Sequence, residues 1–124
     1  MFYSLGRLNL SILIVYRDKL VTDETIVTDE RLMHIKQKHP QDIELFGQYG
    51  KLCVEDPDMV IRDMEHDGTV FMVKRLPETN LNVVVRLVLQ GENEEHKNSV
   101  MTFYRIREKN LKKLINKNNL LYTK

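Results

Sequence analysis

The chain has 124 residues, 42% hydrophobic and 30% charged, with a formal net charge of +1. That length suits one domain (1–124) with an ordinary buried core, and the near-neutral balance excludes a large uniform basic field. A single cysteine, Cys53, excludes an internal disulfide and a cysteine-based zinc site; it reads as a small buried residue in an intracellular, cytoplasmic setting.

In chain order, Leu8–Tyr16 is rich in Ile, Leu and Val and reads as a strand. It is too short to span a bilayer, and the charged Arg17-Asp18-Lys19 that follows argues against a cleaved leader. Arg17–Val27 reads as a charged connection. Thr28 then caps a helix with Asp29 and Glu30 in its first turn, running to about His39 because Pro40 disfavours a helical residue before it. Asp42–Cys53 is expected to hold a short helical piece broken by Gly47 and Gly50. Asp56-Pro57-Asp58 has the form of a helix start, with Val60, Ile61 and Met64 as its apolar stripe and Gly68 as its end.

From there the period changes to two. Thr69–Arg75, Leu81–Gln90 and Ser99–Arg105 read as three antiparallel strands, joined by Leu76–Asn80 and Gly91–Asn98. An amphipathic helix over Glu108–Lys117 and an extended Leu120–Thr123 close the chain. The domain thus divides into an N-terminal strand and connection (1–27), a helical part (28–67) and a sheet with a basic helix (68–124), an α+β pattern.

Charge is unevenly placed. From Arg105 to Lys124 seven basic residues face one acid, a local net of +6, whereas Asp56–Asp67 is acidic. His34 and His39 lie five residues apart, about 140° around a helix, so one metal ion cannot bridge them and no cofactor is expected. His39 ends its helix, where the dipole favours an imidazolium able to move a proton; it can equally just close the helix. Thr102 and Tyr104 share a strand face by alternation, together with Val100 and opposite Ser99, Met101 and Phe103. Lys74 and Arg86 stand inside apolar strand registers, as functional cations or as edge and rim charges.

An imidazole, a hydroxyl, a phenol and nearby cations are the ingredients of metal-free phosphodiester cleavage by a 2′-hydroxyl. The order of His34-Ile35 through His39-Pro40, Asp56-Pro57-Asp58, Val83-Val84-Val85 and Ser99-Val100-Met101-Thr102-Phe103-Tyr104 resembles the phage- and mobile-element-associated nuclease-like domains grouped with barnase, EndoU, colicins E5 and D, and RelE. The resemblance spans roughly Thr28 to Tyr122. It implies N-terminal helices packed on a four-stranded antiparallel sheet, and a toxin-like, metal-independent ribonuclease acting on RNA, often tRNA, with an immunity or inhibitor protein as partner. Carried over, His39 is the acid or base, with His34 as its substitute or a substrate contact. Lys74 or Arg86 is the cation, and Thr102 and Tyr104 orient the substrate. The helix carrying Lys109, Lys112 and Lys113 is expected to guide the RNA backbone. The alternative is an inactive accessory protein of the same fold that binds RNA or a protein.

Overall fold

The computed structural model describes residues 1–92 and 96–124; the middle of the expected Gly91–Asn98 loop lies outside the described residues. Its elements are β1 (Phe2–Arg7), β2 (Glu24–Thr28), α1 (Asp29–Lys38), a 3-10 turn (Pro40–Asp42), α2 (Ile43–Glu55), β3 (Met59–Arg62), β4 (Thr69–Arg75), β5 (Asn80–Arg86), β6 (Asn98–Ile106), α3 (Glu108–Lys117) and β7 (Asn119–Thr123). The strands form one seven-stranded sheet in the order β1-β2-β6-β5-β4-β3-β7. All neighbours are antiparallel except β2 and β6, which run parallel. The α+β class therefore holds, but the expected four-stranded antiparallel sheet is replaced by a wider, mixed one.

Several expected elements change identity for local reasons. Leu8–Tyr16 is no strand: Asn9 Oδ1 accepts from the Ser11 backbone and hydroxyl, and successive turns fold the run back on itself. Side-chain bonds of this kind compete with a ladder. The run buries Leu8, Leu13 and Tyr16 instead. The charged connection that follows contains most of β2. Helix α2 is continuous, because burial of Phe46, Gly50, Cys53 and Val54 outweighs the weak helix propensity of its glycines. At Gly50 the missing Cβ is required, since one would come within 2.9 Å of the Phe46 ring.

Asp56-Pro57-Asp58 ends α2 rather than starting a helix, in keeping with proline's use just beyond a helix C-terminus. Asp58 starts the next ladder through its backbone N–H to Val73 O at 2.8 Å, and its carboxylate accepts from Arg75 N at 2.7 Å. Met59-Val60-Ile61-Arg62 then pairs with β4 on one side and β7 on the other. Gly68, at φ +83°, turns the β3–β4 hairpin. The strand expected over Leu81–Gln90 stops at Arg86.

Alternation around β4 and β5 divides the sheet into two faces. Val70, Met72, Leu81, Val83 and Val85 join the core beneath α1 and α2, with Ile35, Phe46 and Cys53. Met59, Ile61, Val73 and Ile106 form a second cluster closed by Leu111 of α3. A bulge in β6 lies where the register steps from Val84↔Thr102 to Val85↔Val100. It reverses the expected facing: Val100 and Phe103 are both core residues, and Ser99 now shares the α3-side face with Thr102.

The parallel junction of β2 and β6 contains only Thr25↔Asn98 and Ile26↔Ser99. It is reinforced by Asn98, whose fully buried amide accepts from Val88 N at 2.8 Å and donates to Thr22 O at 2.7 Å and Glu24 O at 2.9 Å. Replacing Asn98 with Leu leaves three backbone groups unmet at part-buried to buried positions. Urea unfolding should show a loss of about 3 kcal/mol, and Asn98→Asp should also destabilise, because its buried carboxylate still accepts from Val88 but faces the Thr22 and Glu24 carbonyls without a proton to donate.

Candidate functional site

Beyond the short parallel junction, β6 has no strand on its outer edge, and the turn between α1 and α2 fills the gap. Asp42 Oδ2 accepts from the Arg105 backbone at 3.4 Å, meeting an edge donor that a strand would otherwise take. Asp42 Oδ1 lies 2.6 Å from Arg105 Nε, an ion pair whose carboxylate is only 4% exposed. That contact is off-axis for a hydrogen bond. Asp42 makes no capping bond to α2, so its side chain serves the strand edge instead.

This docking carries His39 onto Tyr104. The histidine backbone N–H closes α1 on Ile35 O at 2.7 Å, while its ring leaves the helix and lies 5.6 Å from the Tyr104 ring centroid at an interplanar angle of 31°. His39, Tyr104, Thr79, Asp42, Arg105 and Arg107 line a cleft of about 340 Å³. Tyr104 and Arg105 are shared with a second groove that runs along α3 past Lys113 and Lys117. The Tyr104 hydroxyl accepts from Asn82 Nδ2 at 3.0 Å, which fixes the phenol and leaves its own proton to donate. Arg107 forms no ion pair among the described residues.

The residues expected to act together are divided. His39 and Tyr104 meet. Thr102 shares the face of Tyr104 but does not line the cleft. Lys74 is nearly buried elsewhere, with Nζ 2.7 Å from Asp56 O, 3.2 Å from Asp56 Oδ2 and 3.6 Å from Asp58 Oδ1. It neutralises acids just before β3, where Lys124 first and then Lys74 hold the Asp56 carboxyl below its usual range. Arg86 pairs in register with Ser99, at the far end of β6 and roughly 15 Å from Tyr104 along the strand. His34 is half-buried on α1 and lines none of these clefts. Lys109, Lys112 and Lys113 of α3 are all exposed, but of these three only Lys113 lines the groove, where Lys117 joins it. Cys53 is fully buried, and burial pushes its thiol up to about 12, which removes it as a nucleophile. No group of three or more metal-ligating side chains occurs among the described residues.

The cations in the cleft, Arg105 and Arg107, are ones the sequence placed only within a basic run. Arg105 directly follows Tyr104 on β6, and Arg107 is the N-cap of α3 just beyond the strand. The opposite wall depends on Glu108 in the first turn of α3, whose carboxylate grips Arg75 at 2.7 and 3.1 Å and accepts from Asn80 at 2.9 Å. This clip ties the β4–β5 hairpin, and with it Thr79, to α3. Arg75 first, then Asn80, pulls the Glu108 carboxyl down to about 2. A carboxyl depressed on folding contributes stability that is complete above its unfolded value and lost as pH falls toward the folded one. Glu108→Gln should therefore flatten the decline of stability between about pH 4.5 and pH 2, followed by urea midpoints across that range.

No helix among the described residues is long and apolar enough to cross a membrane. Protein-family models, curated proteins and solved structures yield no match to this chain, and no family is assigned to it.

Proposed function

We propose that the chain is a single-stranded RNA-binding domain whose site is the His39–Tyr104 cleft. The observation that carries this reading is the pair of tilted rings beside Arg107, opening into the Lys113 and Lys117 groove. Bases stack on aromatic and imidazole faces without regard to sequence, and phosphates are neutralised by Lys and Arg. Arg105, held by Asp42, frames the cleft, while Arg107, Lys113 and Lys117 contact the backbone.

A second reading, metal-independent cleavage, is favoured by one feature: the phenol that accepts from Asn82 keeps a proton to give, next to an imidazole. In that chemistry His39 removes the 2′-hydroxyl proton and the 2′-oxygen attacks phosphorus. Tyr104 protonates the departing 5′-oxygen, and Arg107 faces the developing charge. The products are a 2′,3′-cyclic phosphate and a 5′-hydroxyl. A toxin or effector role of the barnase, EndoU, colicin and RelE type, with an inhibitor partner, belongs to this second reading.

Both readings are tested by incubating the protein in EDTA with total RNA, a tRNA pool and a labelled oligouridylate. Salt-dependent binding of intact oligouridylate, weakened by Tyr104→Ala, is the expected result, with Arg107→Ala lowering the salt slope by about 0.7. Fragments ending in cyclic phosphate that vanish in His39→Ala would establish cleavage instead. No association at low salt would overturn both.

A further inference from the structure

Helix α3 is about 15 Å long and cannot cover the α3-side face of seven strands spaced about 4.8 Å apart. It closes on Met59, Ile61, Val73 and Ile106, which leaves the Arg86 end of β5 and the Ser99 end of β6, with β2 and β1, uncovered by α3 on that face. There lies a cavity of about 560 Å³, bounded in part by Phe2, Ile26, Val88, Arg86, Lys97 and Ser99. It sits at the opposite end of β5 and β6 from His39 and shares no lining residue with that cleft.

Arg86 is held there by three independent features. Nη1 donates to Leu87 O at 2.6 Å, and Nη2 donates to Glu92 Oε2 at 2.8 Å. The guanidinium also lies over Gly68, where a Cβ would come within 2.0 Å of Nη1. An arginine at a strand end ordinarily extends into solvent; this one is fixed against the wall of a cavity, with further N–H groups of its fork left for a ligand. Ser99, opposite Arg86 in register, adds a hydroxyl on the same face. Thr28, His96, Lys97 and the Glu92 carboxylate paired with Arg86 form the rest of the polar part of the lining, and Phe2, Ile26, Leu87 and Val88 form its apolar part. Lys97 pins Phe2 among them, its Nζ 5.0 Å from the ring centroid and 2.9 Å from Glu24 Oε2.

We propose that this cavity is a binding site for a small anion with an apolar body, its carboxylate or phosphate head on the Arg86 fork and its body against Phe2, Ile26 and Val88. A planar fork suits either head group, and a cavity of this size suits a small ligand with a few placed polar contacts.

The test is a calorimetric titration of the full chain with indole-3-carboxylate, phenyl phosphate and the neutral indole-3-carboxamide. Saturable binding of at least one anion, with the amide weaker by about tenfold or more, is expected. Arg86→Gln should weaken the anion by a similar factor, and Arg86→Lys should recover only part of it, since it restores charge without the fork. Phe2 is half exposed, so Phe2→Ala should leave the fold intact and reduce affinity for both anions and amide, which keeps the proposal testable if Arg86→Gln fails to fold. Failure of both anions to bind, or amide binding equal to that of the acid, would overturn it.

Discussion

The buried amide of Asn98 is the contact on which both the sheet and the site depend. The β1–β2 hairpin meets the rest of the sheet through a parallel junction too short to be stable alone. Asn98 adds side-chain bonds to both the incoming strand and the segment after β5, so three stretches of chain are fixed around one group. Low dielectric strengthens each of these bonds and makes each costly to lose. Because the junction is so short, β2 ends before β6 does. The outer edge of β6 is then open from Val100 onward, and the turn after α1 occupies it.

The candidate site follows from that open edge. A strand edge presents backbone donors that must be met, and Asp42 meets one while pairing with the Arg105 side chain. His39, three residues before Asp42, is thereby brought to Tyr104. Its position at the end of α1 would place an imidazole on the surface in any case; the edge decides which surface. On the other side, Glu108 draws the β4–β5 hairpin toward α3. The cleft is the gap between two clamps, one on Arg105 near the end of β6 and one on Glu108 in the first turn of α3.

What the sequence made legible was what local chemistry decides. Thr28 caps α1 through a bond from Arg31 N at 3.2 Å. The bounds of α3 follow from its apolar spacing, and β4 and β6 from alternation. What it hid was decided by pairing. Met59–Arg62 is too short an apolar run to tell strand from helix by period, and Pro57 fits a helix end as well as a start. Phe2–Arg7 is a strand because Glu24–Thr28 is there to pair with it. The bulge in β6 adds a residue that no alternation rule anticipates, so the facing of Val100 and Ser99 was read in reverse. Lys74 and Arg86 were rightly seen as unusual for their registers, yet the partners that explain them, Asp56 and Asp58 for one and Gly68 and Glu92 for the other, are set by tertiary contact.

The central claim is that one continuous surface, from His39 through Tyr104 and Arg107 to Lys117, receives a single strand of RNA. A heteronuclear NMR titration of the chain with a short oligouridylate tests it most directly. The account predicts saturable shifts concentrated at residues 39–42, 79, 104–107 and 113–117, with the region around Lys74 unmoved. Shifts centred elsewhere, or none at low salt, would contradict it.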